Sequence, residues 1–420
     1  MTAQQIGQRL ETDVLVVGAG PGGSSAAYHL ARHGIDVTLV EKASFPREKV
    51  CGDGLTPRSV AAILQMGIDP DQPGFQKVNG LRVHSRSDTI DLPWPELQSW
   101  PGYGLVMTRR DFDHILAQQA QKAGARLMER TEALGPLIKD GWVCGGTVRS
   151  AQDRTAEPIE IHARHVIAAD GAASRFASST PVRRVERRPL GIAARRYYRV
   201  PYDPGPWLES WLDLWEGDML LPGYGWLFPV ADGSINLGAG LLNTFKDFKQ
   251  VSAQRLFDAF ATMLPSEWNI GEDTAEGRVL SGPLPMGFNR APQAVPGMLL
   301  IGDAAGAVNP FNGEGIAYAI ETGEMAAGVI HEALVNDRPA VAMMYPTLLQ
   351  ERYGRYFSIG RGFARMVGKP KIMGAATRYM LPSPKIMGFA MRVMANLTDG
   401  KDGDAQDRLF YLLERLAGAR

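Results

Sequence analysis

Residues 14–41 constrain this chain more than any other stretch. Residues 14–17 form a short apolar run, β-branched apart from Leu15, and Gly18, Gly20 and Gly23 follow it in GxGxxG spacing. Residues 24–32 then carry helical patterning with Gly34 placed as a stop, and a second apolar run, 37–40, ends in Glu41. Each glycine answers a steric demand: the first permits the tight turn, the second lets backbone approach a pyrophosphate, and the third lets helix pack on strand. The helix start offers its unpaired amides and positive end to the phosphates. Glu41 stands where a carboxylate accepts hydrogen bonds from an adenosine ribose. A glycine-rich turn by itself often holds no ligand. Strand, turn, helix, second strand and terminal acid in this order predict a Rossmann-type dinucleotide site.

Composition narrows the partners. With 45 Lys plus Arg against 45 Asp plus Glu the net charge is zero, so no whole-protein field attracts nucleic acid, and any electrostatic targeting is local. At 420 residues the chain is long for one core, which predicts intertwined domains. Cys51 and Cys144 are the only cysteines, which fits a reducing compartment and is too few for an iron–sulfur cluster. Residues 1–13 are polar and acidic before the first apolar run, unlike a secretory signal, and no stretch reads as a membrane span. A cytoplasmic protein is therefore expected. The seven histidines form no pair at metal-ligand spacing, and no metal is expected.

Whether the dinucleotide is NAD or FAD turns on two later segments. Residues 166–174 are an apolar strand running into Asp170-Gly171, with Ser174 three residues on. Alone, an Asp-Gly after a strand is most often only a turn. Residues 299–305 are a second apolar strand ending in Gly302-Asp303, followed by Asn309-Pro310-Phe311-Asn312-Gly313-Glu314-Gly315 and an apolar helix. Together with the first motif these segments resemble the fingerprints of the FAD-dependent hydroxylase and reductase superfamily, the p-hydroxybenzoate hydroxylase structural class. By that resemblance Asp303 binds the ribityl chain, and Pro310, Gly313 and Gly315 lie beside the flavin ring. The helix that starts there aims its positive end at the ring edge that gains charge on reduction. Arg109 matches the family arginine that approaches the FAD phosphates; a solvated helix-end arginine is the plainer reading.

The loop Cys51-Gly52-Asp53-Gly54 resembles the Cys-Gly-Xaa-Gly loop of the geranylgeranyl reductase family, where it lies over the flavin ring. Tyr224-Gly225-Trp226-Leu227-Phe228-Pro229, followed after eight residues by Gly238-Ala239-Gly240, matches that family's substrate motif. Aromatics at alternate positions can simply be the buried face of a strand. A prenyl chain, however, offers no polar handle, so large flat side chains are what can orient it, and the glycines let a strand pass close to a ligand. The resemblance implies reduction of carbon–carbon double bonds in a polyprenyl chain, the isoprenoid tail of menaquinone or a geranylgeranyl group. Cys51 is a candidate proton donor or a small packing residue; the Tyr224 hydroxyl and water are the other candidates. No second GxGxxG unit is present, so the reductant is external: a docking NAD(P)H, a ferredoxin or a quinol. The alternative function is an NAD(P)H-dependent FAD monooxygenase acting on a hydrophobic substrate.

The expected architecture is α/β. A Rossmann-like FAD-binding domain comprises 11–75, 105–180 and 290–340; an inserted antiparallel-sheet substrate domain comprises 76–104 and 181–289; a helical region spans 341–420. Residues 352–398 hold nine Lys or Arg and no acid, with Met366, Met373, Met380, Met387 and Met394 at heptad spacing and Pro370, Pro382 and Pro384 dividing them. Short basic helices suited to peripheral contact with the inner face of a membrane are expected there, or a roof over the substrate channel, or a solvated face.

Overall fold

The computed structural model describes residues 9–417 except 86–87, 218, 222, 246–247, 370–371, 373 and 375–378. Leu10–Val17 is the central strand of a twisted sheet, parallel to Val37–Val40 on one side and Ile159–Ala168 on the other. Arg126–Met128 and Met298–Leu300 extend the parallel array outward. Every residue of Val37–Val40 and of Met298–Leu300 is buried, the unbroken apolar pattern expected of parallel strands covered on both faces. Trp142–Ser150 and Thr131–Lys139 add an antiparallel pair beside Ile159–Ala168.

The first helix is Pro21–Arg32, starting three residues before the expected 24–32. Pro21 explains the difference: in the first turn its missing amide costs no hydrogen bond and its fixed φ suits a helix start. This helix packs on Ile316–Val335, where Ser25 Oγ donates to the Ile320 carbonyl at 2.8 Å.

A second, seven-stranded sheet runs in the order Ala275–Pro285, Leu190–Tyr198, Ile235–Leu242, Tyr224–Pro229, Trp207–Trp211, Gly80–His84, Thr89–Pro93. It departs from the expected antiparallel sheet at one pair, because Trp207–Trp211 runs parallel to Gly80–His84. Residues 80–93 enter from a distant part of the sequence, so no hairpin dictates their direction. The helix Ala253–Met263 covers one face, burying Leu256, Phe257 and Phe260 against Leu227, Leu237, Ala239 and Leu241. The opposite face meets the loop that holds Gly52 and Gly54 and, toward its Gly80–Pro93 end, a C-terminal helix.

The C-terminal region is helical, as expected, but its first helix is long. Its basic stretch begins inside one 23-residue helix, Tyr345–Val367, because Pro346 falls in the first turn and no other proline interrupts the run. That helix buries Tyr345, Tyr353, Tyr356 and Phe357 in the main core. Pro384–Ala395 buries Met387 and Met391 against Val83, Leu92 and Leu208. Arg392 is buried as well, paired with Asp404 at 2.8 Å and Asp407 at 3.3 Å, so the acids missing from 352–398 are supplied by the segment that follows. Pro370, Lys371, Met373 and Arg378 lie outside the described residues. Among the described residues no helix is long and apolar enough to cross a membrane.

Candidate functional site

At the first turn Gly18 adopts φ +100°, a left-handed conformation that favours glycine. A Cβ on Gly23 would lie 1.8 Å from the Gly18 carbonyl oxygen, so helix and turn can meet only without one. A Cβ on Gly20 would meet nothing nearer than the Arg47 and Arg109 Nη2 atoms, at 3.9 and 4.0 Å. Two guanidiniums therefore flank the open side of a helix N-terminus. Buried Asp113 anchors both, accepting Arg47 at 2.9 Å and Arg109 through two bonds of 2.6 and 2.8 Å. Burial opposes the charge on Arg109, but Asp113 more than offsets it and keeps the group protonated. Glu41 is buried and accepts the Ala19 amide at 3.1 Å, the Ala43 amide at 3.0 Å and Arg47 at 3.2 Å.

The later segments close on the same region. Asp170 follows Ile159–Ala168 and accepts the Phe176 amide at 2.9 Å, and Gly171 takes φ +77° to make the turn. Burial pushes the Asp170 carboxyl above its ordinary range. Asp303 sits in the short helix Gly302–Ala305, and a Cβ on Gly315 would come 3.3 Å from its Oδ1. Gly315 is the cap of Ile316–Val335, so a 20-residue helix starts at the loop that carries Pro310 and Gly313. Pro310 is buried behind that loop against Gly360 of the C-terminal helix.

Strand register explains the aromatic motif. Tyr224, Trp226 and Phe228 project from the face opposite the Ala253–Met263 helix, since Leu227 between them belongs to the helix-covered core. Directly across the ladder, Tyr224 faces Gly240, Trp226 faces Gly238 and Phe228 faces Asn236. A Cβ on Gly238 would fall 2.1 Å from Trp226 Cζ2, so the glycine makes room for the indole. Pro229 is buried at the strand end. The Cys51 loop lies against these rings: Cβ atoms on Gly52 or Gly54 would each meet Phe228 Cε2 at 3.1 Å. The Tyr224 hydroxyl donates to the Asn312 carbonyl at 3.2 Å, which joins the aromatic strand to the 309–315 loop.

The structure thus brings Cys51, the aromatic strand and the 309–315 loop together, with the 18–23 turn and Arg109 alongside. Cys144 lies apart, in Trp142–Ser150. Burial pushes the Cys51 thiol up, while Arg109 pulls it the other way; the net is a thiol that keeps its proton. Burial pushes Tyr224 up to about 12, so it too stays protonated.

Sequence reasoning missed the residue at the centre of this arrangement. Asp53, fully buried at φ +68°, accepts hydrogen bonds from the Tyr197 hydroxyl, from Asn236 Nδ2 at 2.8 Å and from the Arg109 amide at 3.2 Å. Asn236 Nδ2 also donates to the Cys51 carbonyl at 2.9 Å, and its Oδ1 accepts Trp226 Nε1 at 3.0 Å. Arg47 and Asp113 were missed as well. The one available signal was the i,i+4 spacing of Arg109 and Asp113 on a helix.

The donor set suits FAD: room at Gly20, two cations and a helix end for a pyrophosphate, and carboxylates at Glu41 and Asp303 for its hydroxyls. Fold and site together define an FAD-dependent oxidoreductase. Residues 11–195 match the FAD binding domain family. The chain is 36% identical over 395 residues to a menaquinone reductase of Mycobacterium tuberculosis, covering 93% of each chain. It is 32% identical over 349 residues to a digeranylgeranylglycerophospholipid reductase of Thermoplasma volcanium, covering 82% and 84%. Among solved structures, a geranylgeranyl bacteriochlorophyll reductase-like protein of Thermoplasma acidophilum superposes with a TM-score of 0.70 at 26% identity, covering 90% and 98%. The chain belongs to the geranylgeranyl reductase family of FAD-dependent oxidoreductases.

Proposed function

We propose that this protein saturates carbon–carbon double bonds in the isoprenoid tail of menaquinone, with FAD held by Gly18, Gly20, Gly23, Glu41, Arg109, Asp170, Gly171, Asp303, Pro310, Gly313 and Gly315. The observation that carries the reading is the meeting of a protonated thiol, a row of aromatic rings and the 309–315 loop at one place, in a chain whose menaquinone reductase relative matches 93% of it. Reduced FAD supplies the hydride for one alkene carbon. The chain's own task is to place the alkene and to bring a proton to the other carbon. An isolated alkene accepts hydride poorly until protonation builds positive charge at the tertiary carbon, and aromatic faces stabilise such charge. Tyr224, Trp226 and Phe228 supply those faces, with successive ring centroids 5.9 and 6.4 Å apart. Cys51 is the proton donor in this reading. Its raised pKa means the proton is present at neutral pH, and Arg109 is near to stabilise the thiolate left behind.

The substrate is lipid, and the C-terminal region offers a surface to meet it. Met366, Met380 and Ile386 are exposed beside the exposed Arg365, Lys369 and Lys385, a pairing suited to an anionic bilayer. Helix Ala405–Ala417, which the sequence pattern did not single out, adds exposed Leu409, Leu412, Leu413 and Leu416.

The test is anaerobic incubation of the dithionite-reduced holoenzyme with fully unsaturated menaquinone, read by mass spectrometry. A gain of two hydrogens in the tail is expected, with faster turnover from anionic vesicles than from neutral ones. No gain under these conditions, together with oxygen incorporation once air and NAD(P)H are supplied, would overturn the reading in favour of a monooxygenase.

A further inference from the structure

Asp53 is a buried carboxylate with three hydrogen-bond donors aimed at it. Tyr197 and Asn236 address Oδ2, and the Arg109 amide addresses Oδ1. Its own carbonyl accepts the Met107 amide at 3.2 Å, so backbone and side chain are both fixed. The donors come from three separate elements: Leu190–Tyr198, Ile235–Leu242 and the start of Arg109–Lys122. An ionised carboxylate accepts all three with lone pairs to spare, whereas protonation places a hydrogen on one oxygen and gives up acceptor capacity there. Asn236 then passes the constraint on, holding the Cys51 carbonyl with the same amide nitrogen and the Trp226 indole with its oxygen.

We propose that ionised Asp53 is the positioning residue of this site, clamping the Cys51 loop onto the aromatic strand through Asn236, with its negative charge two residues from the thiol. The proposal rests on Cys51 being the proton donor. It explains why an acid, rather than an amide of the same shape, occupies a position where burial penalises charge. Burial, set against donation from Tyr197 and the charge of Arg195, pushes Asp53 up to about 6. The charge on Asp53 in turn raises the thiol, adding to the effect of burial.

The groups facing Asp53 are Arg109 from its helix, Cys51 from the loop, Arg195 and Tyr197 from Leu190–Tyr198, and Glu48 through its 2.8 Å bond to Arg195; Tyr224 of the aromatic strand faces Cys51. The arginines stay charged, and burial keeps both tyrosines and the thiol neutral near neutral pH. Turnover therefore falls as pH drops through about 6, where Asp53 takes up its proton and one donor loses its acceptor.

Two readouts test this on the FAD-loaded protein in a Cys144→Ser background. The first needs no substrate: the pH dependence of Cys51 alkylation by iodoacetamide. Asp53→Asn removes a negative charge, so the alkylation midpoint moves to lower pH; a midpoint lower by about 1 raises the rate at pH 7 about tenfold. The second is turnover with unsaturated menaquinone. Asp53→Asn lowers kcat about a hundredfold by loosening the register of donor and alkene, changes KM little and abolishes the acidic limb. Tyr197→Phe removes a bond that favours the ionised form, so its limb moves to higher pH, whereas Glu48→Gln leaves the limb in place. An unchanged alkylation profile in Asp53→Asn, or an acidic limb that survives the substitution, overturns the proposal. If wild-type protein fails to reduce the tail, the fault lies with the substrate reading, and the alkylation arm still decides the role of Asp53.

Discussion

The turn at 18–23 and the aromatic face at 224–240 both depend on glycine, for opposite reasons. At the turn, glycine clears side chains away from the backbone, and Gly20 opens onto two guanidiniums and nothing closer. On the aromatic face, glycine clears space for another residue: Gly238 is where the Trp226 indole lies. The first region is made by backbone and the second by side chains locked to one another through Asn236 and Asp53. A backbone site tolerates the loss of a side chain better than the gain of one. A side-chain network suffers from either.

The largest effect expected from this contrast is at Gly23. A methyl group there would sit 1.8 Å from the Gly18 carbonyl, a backbone atom within the tight turn that has nowhere to go. Gly23→Ala should cost more than about 3 kcal/mol in strain, so the protein purifies with little flavin and unfolds at lower temperature. Flavin absorbance per protein and a melting curve decide it. Normal flavin content would show that the turn can deform and that the backbone argument is wrong.

Gly238→Ala is the matched experiment on the other face, and its effect should be smaller and of a different kind. The obstructing atoms belong to a side chain, which can swing away at the expense of the 3.0 Å bond from Trp226 to Asn236. Flavin should stay bound while kcat drops about a hundredfold, the usual consequence of displacing an orienting group by about 1 Å. Loss of flavin in this variant would mean the two regions are not separable.

The same contrast explains which features the sequence made legible. The turn was legible because its demands fall within residues 14–41 and repeat in every Rossmann-type site. The aromatic face was legible as alternation along one strand, with Gly238 and Gly240 at a fixed distance. Asp53 was not, because its partners lie at 109, 197 and 236 and meet it only through ladder register: Tyr197 stands opposite Asn236, and Asn236 opposite Phe228. No period within one segment encodes that alignment. The basic stretch was legible only in part for a related reason, since charge composition does not reveal that Arg392 turns inward to Asp404 and Asp407.

Asp303 offers the finest test of the distinction, because it is a side chain within the backbone-made region. It lies on the short helix Gly302–Ala305 at the start of Ile316–Val335, close to Gly315. If it contributes one charge-assisted hydrogen bond to FAD, its removal should cost about 2 kcal/mol, roughly thirtyfold in affinity. Asp303→Ala protein should therefore purify with reduced flavin content but recover it in a fluorescence titration with excess FAD, and turnover should return as the site fills. Recovery would mean that the glycine turn and helix ends still shape the site, with Asp303 adding affinity to a form already in place. Failure to recover at saturating FAD would place Asp303 with Gly23, as part of what builds the site, and the line drawn between backbone and side chain would have to move.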